Sequence, residues 1–264
     1  MLGKLIKHDL KNLFRQMLPF YIITLGSTLV LFACYYLPAS NIRHIIVDYL
    51  TQAIMITVIC STFINSIIRA WLRYKTNFYG DESYLTHTLP VTRGQLFASK
   101  SISSMLMILA SCFVCGSSFL IININSGITE RIPLAIKSAA EIMNVNPVLL
   151  TIAFLSLIVF EIAAFLFAGF FGITLGHCFE NGKGSKSFCF GALIYILGQA
   201  FFVAFFICVS KLFWPEVMAI FSNEVIDPTI LMIIILISLA GYGIYLVIEY
   251  FLTHLILKRC VNIE

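Results

Sequence analysis

Six stretches of this chain stay apolar for longer than a water-soluble fold requires. Residues 17–37, 49–70, 98–123, 148–175, 188–210 and 229–257 each supply the roughly 20 residues with which a helix crosses a hydrocarbon core about 30 Å thick. Backbone groups find no water in lipid, so such runs must be helices, whose hydrogen bonds close internally. A transmembrane barrel would instead show alternating segments of about ten residues. Composition agrees: 60% of the 264 residues are hydrophobic and 11% charged, where a soluble domain is about half apolar and a quarter charged. The predicted fold class is all-α integral membrane, with six transmembrane helices. A net charge of +4, spread through so much apolar sequence, points to no nucleic-acid partner.

The basic residues sort by side. Lys4, Lys7, Lys11 and Arg15 precede the first run. Arg69, Arg73, Lys75, Arg93 and Lys100 surround the second connection, Lys183 and Lys186 the fourth, and Lys258 and Arg259 follow the last run. Arg43, Arg131, Lys137 and Lys211 fall on the opposite side. Basic residues concentrate in cytoplasmic loops, so both termini and the loop at 71–97 are expected inside a multi-pass cell-membrane protein. The first run ends in "CYYLPAS" behind a long basic leader, so no cleavable signal peptide is expected there.

That leader, "MLGKLIKHDLKNLFRQM", has a helical period. Leu2, Leu5, Ile6, Leu10, Leu13, Phe14 and Met17 share one face, and Lys4, Lys7, His8, Lys11 and Arg15 occupy the rest. The pattern predicts a helix in the headgroup plane with its bases towards anionic lipid. Pro19 then permits a sharp change of direction.

The cytoplasmic loop has a structure of its own. Gly80 breaks the preceding helix; Asp81 can cap a new one and Glu82 favours its positive end. "ESYLTHTL" supplies about two turns, with Tyr84, Leu85 and Leu89 as apolar contacts, and Pro90 excludes Leu89 from the α region. Thr92-Arg93-Gly94-Gln95 matches the capping box that starts a further helix into the third span. Two helix starts within a dozen or so residues predict a rigid docking helix rather than a passive linker.

"YGDESYLTHTLPVTRGQLFASK" (79–100) closely resembles the cytoplasmic loop of permease subunits of bacterial ABC-2-type transporters. Gram-positive members often carry a Gly-Asp-Glu-x-Tyr-Leu-Thr-x-Thr-Leu-Pro-Val-Ser/Thr-Arg-x-Gln-Leu run there. The opening "MLGKLIKHDLK" and closing "LILKRCVNIE" are similar to that group as well. The resemblance implies a type V exporter-like permease, with an elbow helix at 1–16 and a six-span domain at 17–264. It implies that residues 81–89 form a coupling helix seated in a cleft of a nucleotide-binding subunit. Asp81, Glu82, Tyr84, Leu85, Thr86, His87, Leu89 and the stopping Pro90 are then its contact and boundary residues. Thr92 stands where Ser is common and keeps the capping hydroxyl, with Gln95 opposite. The implied partners are the ATPase subunit, a second or related permease and membrane lipid. No cofactor is expected on this chain itself; ATP and Mg belong to the ATPase. The expected activity is export of an amphipathic peptide, antimicrobial or lipid-like compound, which the Phe- and Ile-rich spans fit as they also fit a lipid-facing surface.

Other polar residues in the spans leave roles open. Glu161 shares a face with the small-residue ladder Ala164, Ala168, Gly172 and Gly176, which allows close helix approach. An acid within a span is costly; Glu161 either bonds within a packed interface or lines a substrate path. Glu249 could reach interfacial water or a basic partner towards Lys258; it either serves a structural interface or lines a substrate path. Gln52, Asn65 and Gln199 are interhelical hydrogen-bond candidates. Cys112-x-x-Cys115 lacks a second pair or a His cluster, which points to helix packing and no metal. Outside, "ERIPLAIKSAAEIM" predicts a helix starting at Pro133, and 211–228, with Phe213 and Trp214, an amphipathic interfacial segment.

The sequence contains no G-x-x-x-x-G-K-[ST], H-E-x-x-H or G-x-S-x-G motif. No catalytic residues are expected, and ATP hydrolysis falls to a separate subunit. Two alternatives compete with a permease. One is a non-transporting sensor or scaffold that uses the same docking helix. The other is a secondary transporter, against which stands the lack of a clear pair of inverted repeats. The topology is testable: a reporter active only in the cytoplasm is expected to work near residue 78, near 183 or at the C-terminus and to fail near 135 or 220. Activity at 135 refutes the six-span arrangement.

Overall fold

A computed structural model of the chain describes residues 2–35, 41–80, 82–88, 90–124, 128–142, 145–179, 181–212 and 228–259. Among them are eight helices: α1 Leu2–Tyr35, α2 Asn41–Tyr79, α3 Ser83–Thr88, α4 Arg93–Ile122, α5 Ile128–Ile142, α6 Pro147–Gly176, α7 Lys183–Leu212 and α8 Pro228–Arg259. All but α3 and α5 are long and apolar enough to cross a membrane, as expected of a multi-pass membrane protein. The helices outrun the predicted spans because nothing in the flanking polar sequence stops them. α2 continues from 70 to Tyr79, where Gly80 ends it. At 1.5 Å per residue its 39 residues reach about 58 Å, well beyond the lipid core.

The chain divides into two compact units, Met1–Thr129 and Glu130–Asn262. In the first, α1, α2 and α4 pack against one another. Serines make this possible: Ser99, Ser103, Ser104, Ser111 and Ser118 of α4 are buried, and side chains this small let helix backbones approach. Hydroxyls then bond across the contacts. Tyr21 shares a hydrogen bond with Ser111 (2.7 Å) and Thr24 with Thr62 (2.6 Å). Cys115 is buried and its thiol points to the Ile59 carbonyl at 3.8 Å, a packing contact.

α1 departs from expectation. The separate helix at 1–16 is instead the first part of one helix that runs through Pro19. The proline removes only its own hydrogen bond to the Arg15 carbonyl and is exposed. Leu13 and Met17 before it and Thr24 and Thr28 after it are all buried, so continuous packing holds the helix in line. On its apolar face Leu13 and Met17 are buried, Leu2, Leu5, Ile6 and Leu10 are half-buried and Phe14 is exposed.

In the second unit, α6 packs on α7 and α8, and α7 on α8. The predicted ladder sits in the contact: Ala164, Ala168, Gly172 and Gly176 are buried. A Cβ on Gly172 would lie 2.4 Å from the Ser187 carbonyl oxygen, and one on Gly176 2.5 Å from the Ser187 nitrogen. The turn before α7 places Gly182 at φ 71°, which favours glycine. Asn146, not singled out beforehand, caps α6 by accepting from Val148 N at 2.9 Å, with Pro147 at the first helical position. α5 starts at Ile128 and takes Pro133 inside it, so the start expected at Pro133 is corrected. Residues 213–227 lie outside the described residues.

Gly172→Leu is expected to push α6 and α7 apart and cost at least about 1–3 kcal/mol of overpacking. Gly243, whose Cβ would meet nothing within 4 Å, serves as the control. Thermal unfolding in detergent should show a lower Tm for Gly172→Leu and little change for Gly243→Leu.

Candidate functional site

The loop that carries the docking-helix expectation is built as follows. Thr92 caps α4 with extended backbone (φ −73°, ψ 150°). Its hydroxyl accepts from Gln95 N at 3.3 Å, and Gln95 Oε1 accepts from Thr92 N at 3.2 Å. The predicted capping box is present. On the other side, Ser83 N donates to Gly80 O at 2.9 Å, a turn that carries the chain from α2 into α3. The short helix covers Ser83–Thr88, less than the 81–89 expected. Asp81 and Leu89 lie outside the described residues, as do the side chains of Leu85, Thr86 and His87. Pro90 is exposed. Tyr84 is 71% exposed, so the helix presents an aromatic ring that its own chain does not cover.

Glu82 fixes α3 to the rest of the unit. Its Oε2 accepts from Arg73 at 2.7 Å and from Asn77 at 3.0 Å, both on α2. Arg73 is buried and also reaches α1: Asn12, with its amide oxygen turned inwards, accepts from both terminal guanidinium nitrogens at 2.9 and 3.2 Å. Asn77 Oδ1 accepts from Lys100 of α4 at 2.6 Å. Lys100 forms an ion pair with Asp9 of α1, whose other oxygen accepts from Ser99 at 2.8 Å. Asp9 and Lys100 are both buried. One connected set of hydrogen bonds therefore joins the α3 turn to α1, α2 and α4. Tyr74, Phe78 and Phe97, all buried, pack beside it, with Tyr74 4.8 Å from Phe78 and 6.1 Å from Phe97.

Of this network the sequence reading assigned only Glu82 a place. Asp9, Asn12, Asn77 and Ser99 were missed, and Arg73 and Lys100 were counted only as charge. Two signals were available: Asp9 is the single acid in α1, and Lys100 falls inside the predicted third span, where an unpaired cation is costly.

The second unit has its own polar centre. Glu161 of α6 accepts from Tyr195 at 2.6 Å and Gln199 at 2.8 Å, both on α7, and from Tyr242 of α8. This is the packed-interface geometry, with Gln199 bonding between helices as expected. Aromatic rings surround it: Phe202 lies 4.7 Å from Tyr242, and Phe165 5.2 Å from Tyr195. Glu249 of α8 is buried, 1% exposed, and interacts with the Tyr245 hydroxyl one turn earlier on the same helix. Asn65, expected to bond between helices, instead donates to Ser61 O of its own helix at 2.8 Å. Gln52 is exposed.

Comparison with protein-family models, curated proteins and solved structures returns no match.

Removing one member of a buried ion pair leaves the other charge unpaired, at a cost of about 3–5 kcal/mol. Lys100→Met is expected to lose that much stability. Asp9→Leu combined with Lys100→Met should recover part of the loss, since replacing both charges removes the desolvation cost as well. Unfolding of all three variants in detergent, monitored by circular dichroism, measures this. Equal losses in single and double variants refute a coupled pair.

Proposed function

We propose that the chain is the permease subunit of an ATP-driven transporter of the ABC-2 type, an exporter of an amphipathic peptide, antimicrobial or lipid-like compound. A separate ATPase docks on α3 from the cytoplasm. One observation carries the reading: an exposed aromatic ring, Tyr84, stands on a short helix that Glu82 fastens to a membrane helix. An element that receives force must expose a surface to its partner and must not yield when pushed.

α3 meets both conditions. It is confined between Gly80 and the capped start of α4, so displacing it pulls on α2 and α4 through the backbone. Glu82 adds side-chain routes: through Arg73 to Asn12 of α1, and through Asn77 to Lys100 of α4. The Arg73–Glu82 pair alone is modest, because Glu82 is half exposed and exposed pairs contribute up to about 1 kcal/mol. Its use is geometric: it sets where the short helix sits. The chain carries no phosphate-binding loop, so the energy source is the partner.

Tyrosines in the centre of an interface are frequent hot spots, worth about 2 kcal/mol or more on truncation, or roughly 30-fold in affinity. Tyr84→Ala is therefore expected to weaken capture of the ATPase by about that factor and to abolish substrate-stimulated ATP hydrolysis in nanodiscs. The permease itself should still insert and fold, since Tyr84 is 71% exposed and belongs to none of the membrane-crossing helices. Undiminished capture and hydrolysis would show that α3 is not the coupling element.

A further inference from the structure

The continuity of α1 has a consequence for its exposed side. At 3.6 residues per turn, Lys4, Lys7, Lys11, Arg15, Leu18, Ile22, Leu25 and Leu29 fall on one strip of the helix about 80° wide. Every one of them is exposed. The buried residues Asp9, Leu13, Met17, Thr24 and Thr28 lie on the opposite side. One uninterrupted face is thus basic at its foot and aliphatic above, and the change comes between Arg15 and Leu18.

The dimensions match one kind of molecule. Leu18 to Leu29 spans about 16 Å along the helix, close to half of a hydrocarbon core of about 30 Å, the depth of one acyl leaflet. Arg15 lies one turn below Leu18 and Lys11 one turn further, at headgroup level. Neither cation is committed elsewhere: Lys4, Lys7, Lys11 and Arg15 form no ion pair with a described carboxylate. The one acid in α1, Asp9, points away to Lys100. Pro19 sits at the same transition and leaves the Arg15 carbonyl without its helical donor. Water and headgroups at this level would satisfy the freed carbonyl.

We propose that this strip is a binding site for an anionic diacyl phospholipid, with its phosphate on Lys11 and Arg15 and an acyl chain along Leu18, Ile22, Leu25 and Leu29. The site needs no transport activity and stands apart from the function proposed above. Its charge complementarity selects anionic over zwitterionic lipid, and Lys4 and Lys7 extend the attraction below the headgroups. Each basic residue near an anionic surface strengthens binding roughly fivefold.

The test is native mass spectrometry of the full-length chain in a neutral detergent, titrated with dioleoyl phosphatidylglycerol or dioleoyl phosphatidylcholine. The chain is expected to retain phosphatidylglycerol in preference. Lys11→Gln with Arg15→Gln should weaken that binding about 25-fold and leave phosphatidylcholine unaffected. Lys4 and Lys7 stay in place to preserve insertion. Lys11→Arg with Arg15→Lys should keep the preference, as should Lys75→Gln with Lys137→Gln, two exposed lysines elsewhere. Glycerol 3-phosphate, which has the phosphate without the chains, should not displace the lipid. If the glutamine variant fails to fold, the unmodified chain still decides the matter. Raising salt from 0.1 M to 1 M shortens the screening length from about 10 Å to 3 Å, which should erase the preference. Equal binding of the two lipids, salt-independent preference, unaltered binding by the folded glutamine variant, equal loss in the Lys75/Lys137 control, or displacement by glycerol 3-phosphate each overturns the proposal.

Discussion

Inside a bilayer, a helix gains little by hiding apolar surface from its surroundings, because lipid tails are as apolar as leucine. Helix association must come from close approach and from polar groups that prefer one another to hydrocarbon. Both units of this chain obey that constraint, by different chemistry. The first uses buried serines on α4, whose size lets α1 and α2 approach, and hydroxyl pairs such as Thr24 with Thr62. The second uses the Ala164–Gly176 ladder against Ser187 and Gly191, with Glu161 holding donors from two further helices. In each unit a charged residue sits where three helices meet, and its hydrogen bonds offset the cost of placing it there.

The two polar centres differ in what they can transmit. Glu161 collects bonds from half-buried Tyr195 and Gln199 of α7 and from buried Tyr242 of α8, so it ties three helices together. The Asp9–Lys100–Asn77–Glu82–Arg73–Asn12 network is open at one end. Glu82 is half exposed and stands at the start of α3, whereas Asp9 and Lys100 are buried. The network thus runs from a half-exposed carboxylate beside α3 to a buried ion pair between α1 and α4.

Much of the fold was legible because its signals are local. The apolar runs give the spans, Thr92 and Gln95 give a helix start from four adjacent residues, and the i, i+4 spacing of Ala164, Ala168, Gly172 and Gly176 gives a contact face. The network was not legible, for a physical reason. Its bonds join residues as far apart as Asp9 and Lys100, and hydrophobic periodicity carries no information about polar partners. Asp9 lies among lysines and reads as part of a solvated face, although it shares the turn-by-turn spacing of Leu13 and Met17 on the buried one. Pro19 misled in the other direction. A proline predicts a break when only propensity is counted, and the packing of Leu13, Met17, Thr24 and Thr28 outweighs one lost hydrogen bond.

The buried pair at the foot of α1 also answers why an ion pair stands where apolar residues would pack. Desolvating Asp9 and Lys100 costs several kcal/mol per ion, and such pairs are seldom more stabilising than a hydrophobic replacement. What they supply is register. Ser99 and Asn77 satisfy further bonding sites on the two charges, so the geometry is complete in one alignment only. A slip of α1 by about one turn along α4 would set Leu5 or Leu13 against Lys100 and leave two buried charges unpaired. Apolar contacts between α1 and α4 impose no such penalty, since a leucine meets one small or aliphatic neighbour much as it meets another. The same alignment fixes which side of α1 faces outwards. With Asp9 held inwards, Lys4, Lys7, Lys11 and Arg15 turn outwards and are exposed, so the ion pair inside the bundle determines the charge that the helix presents outside it.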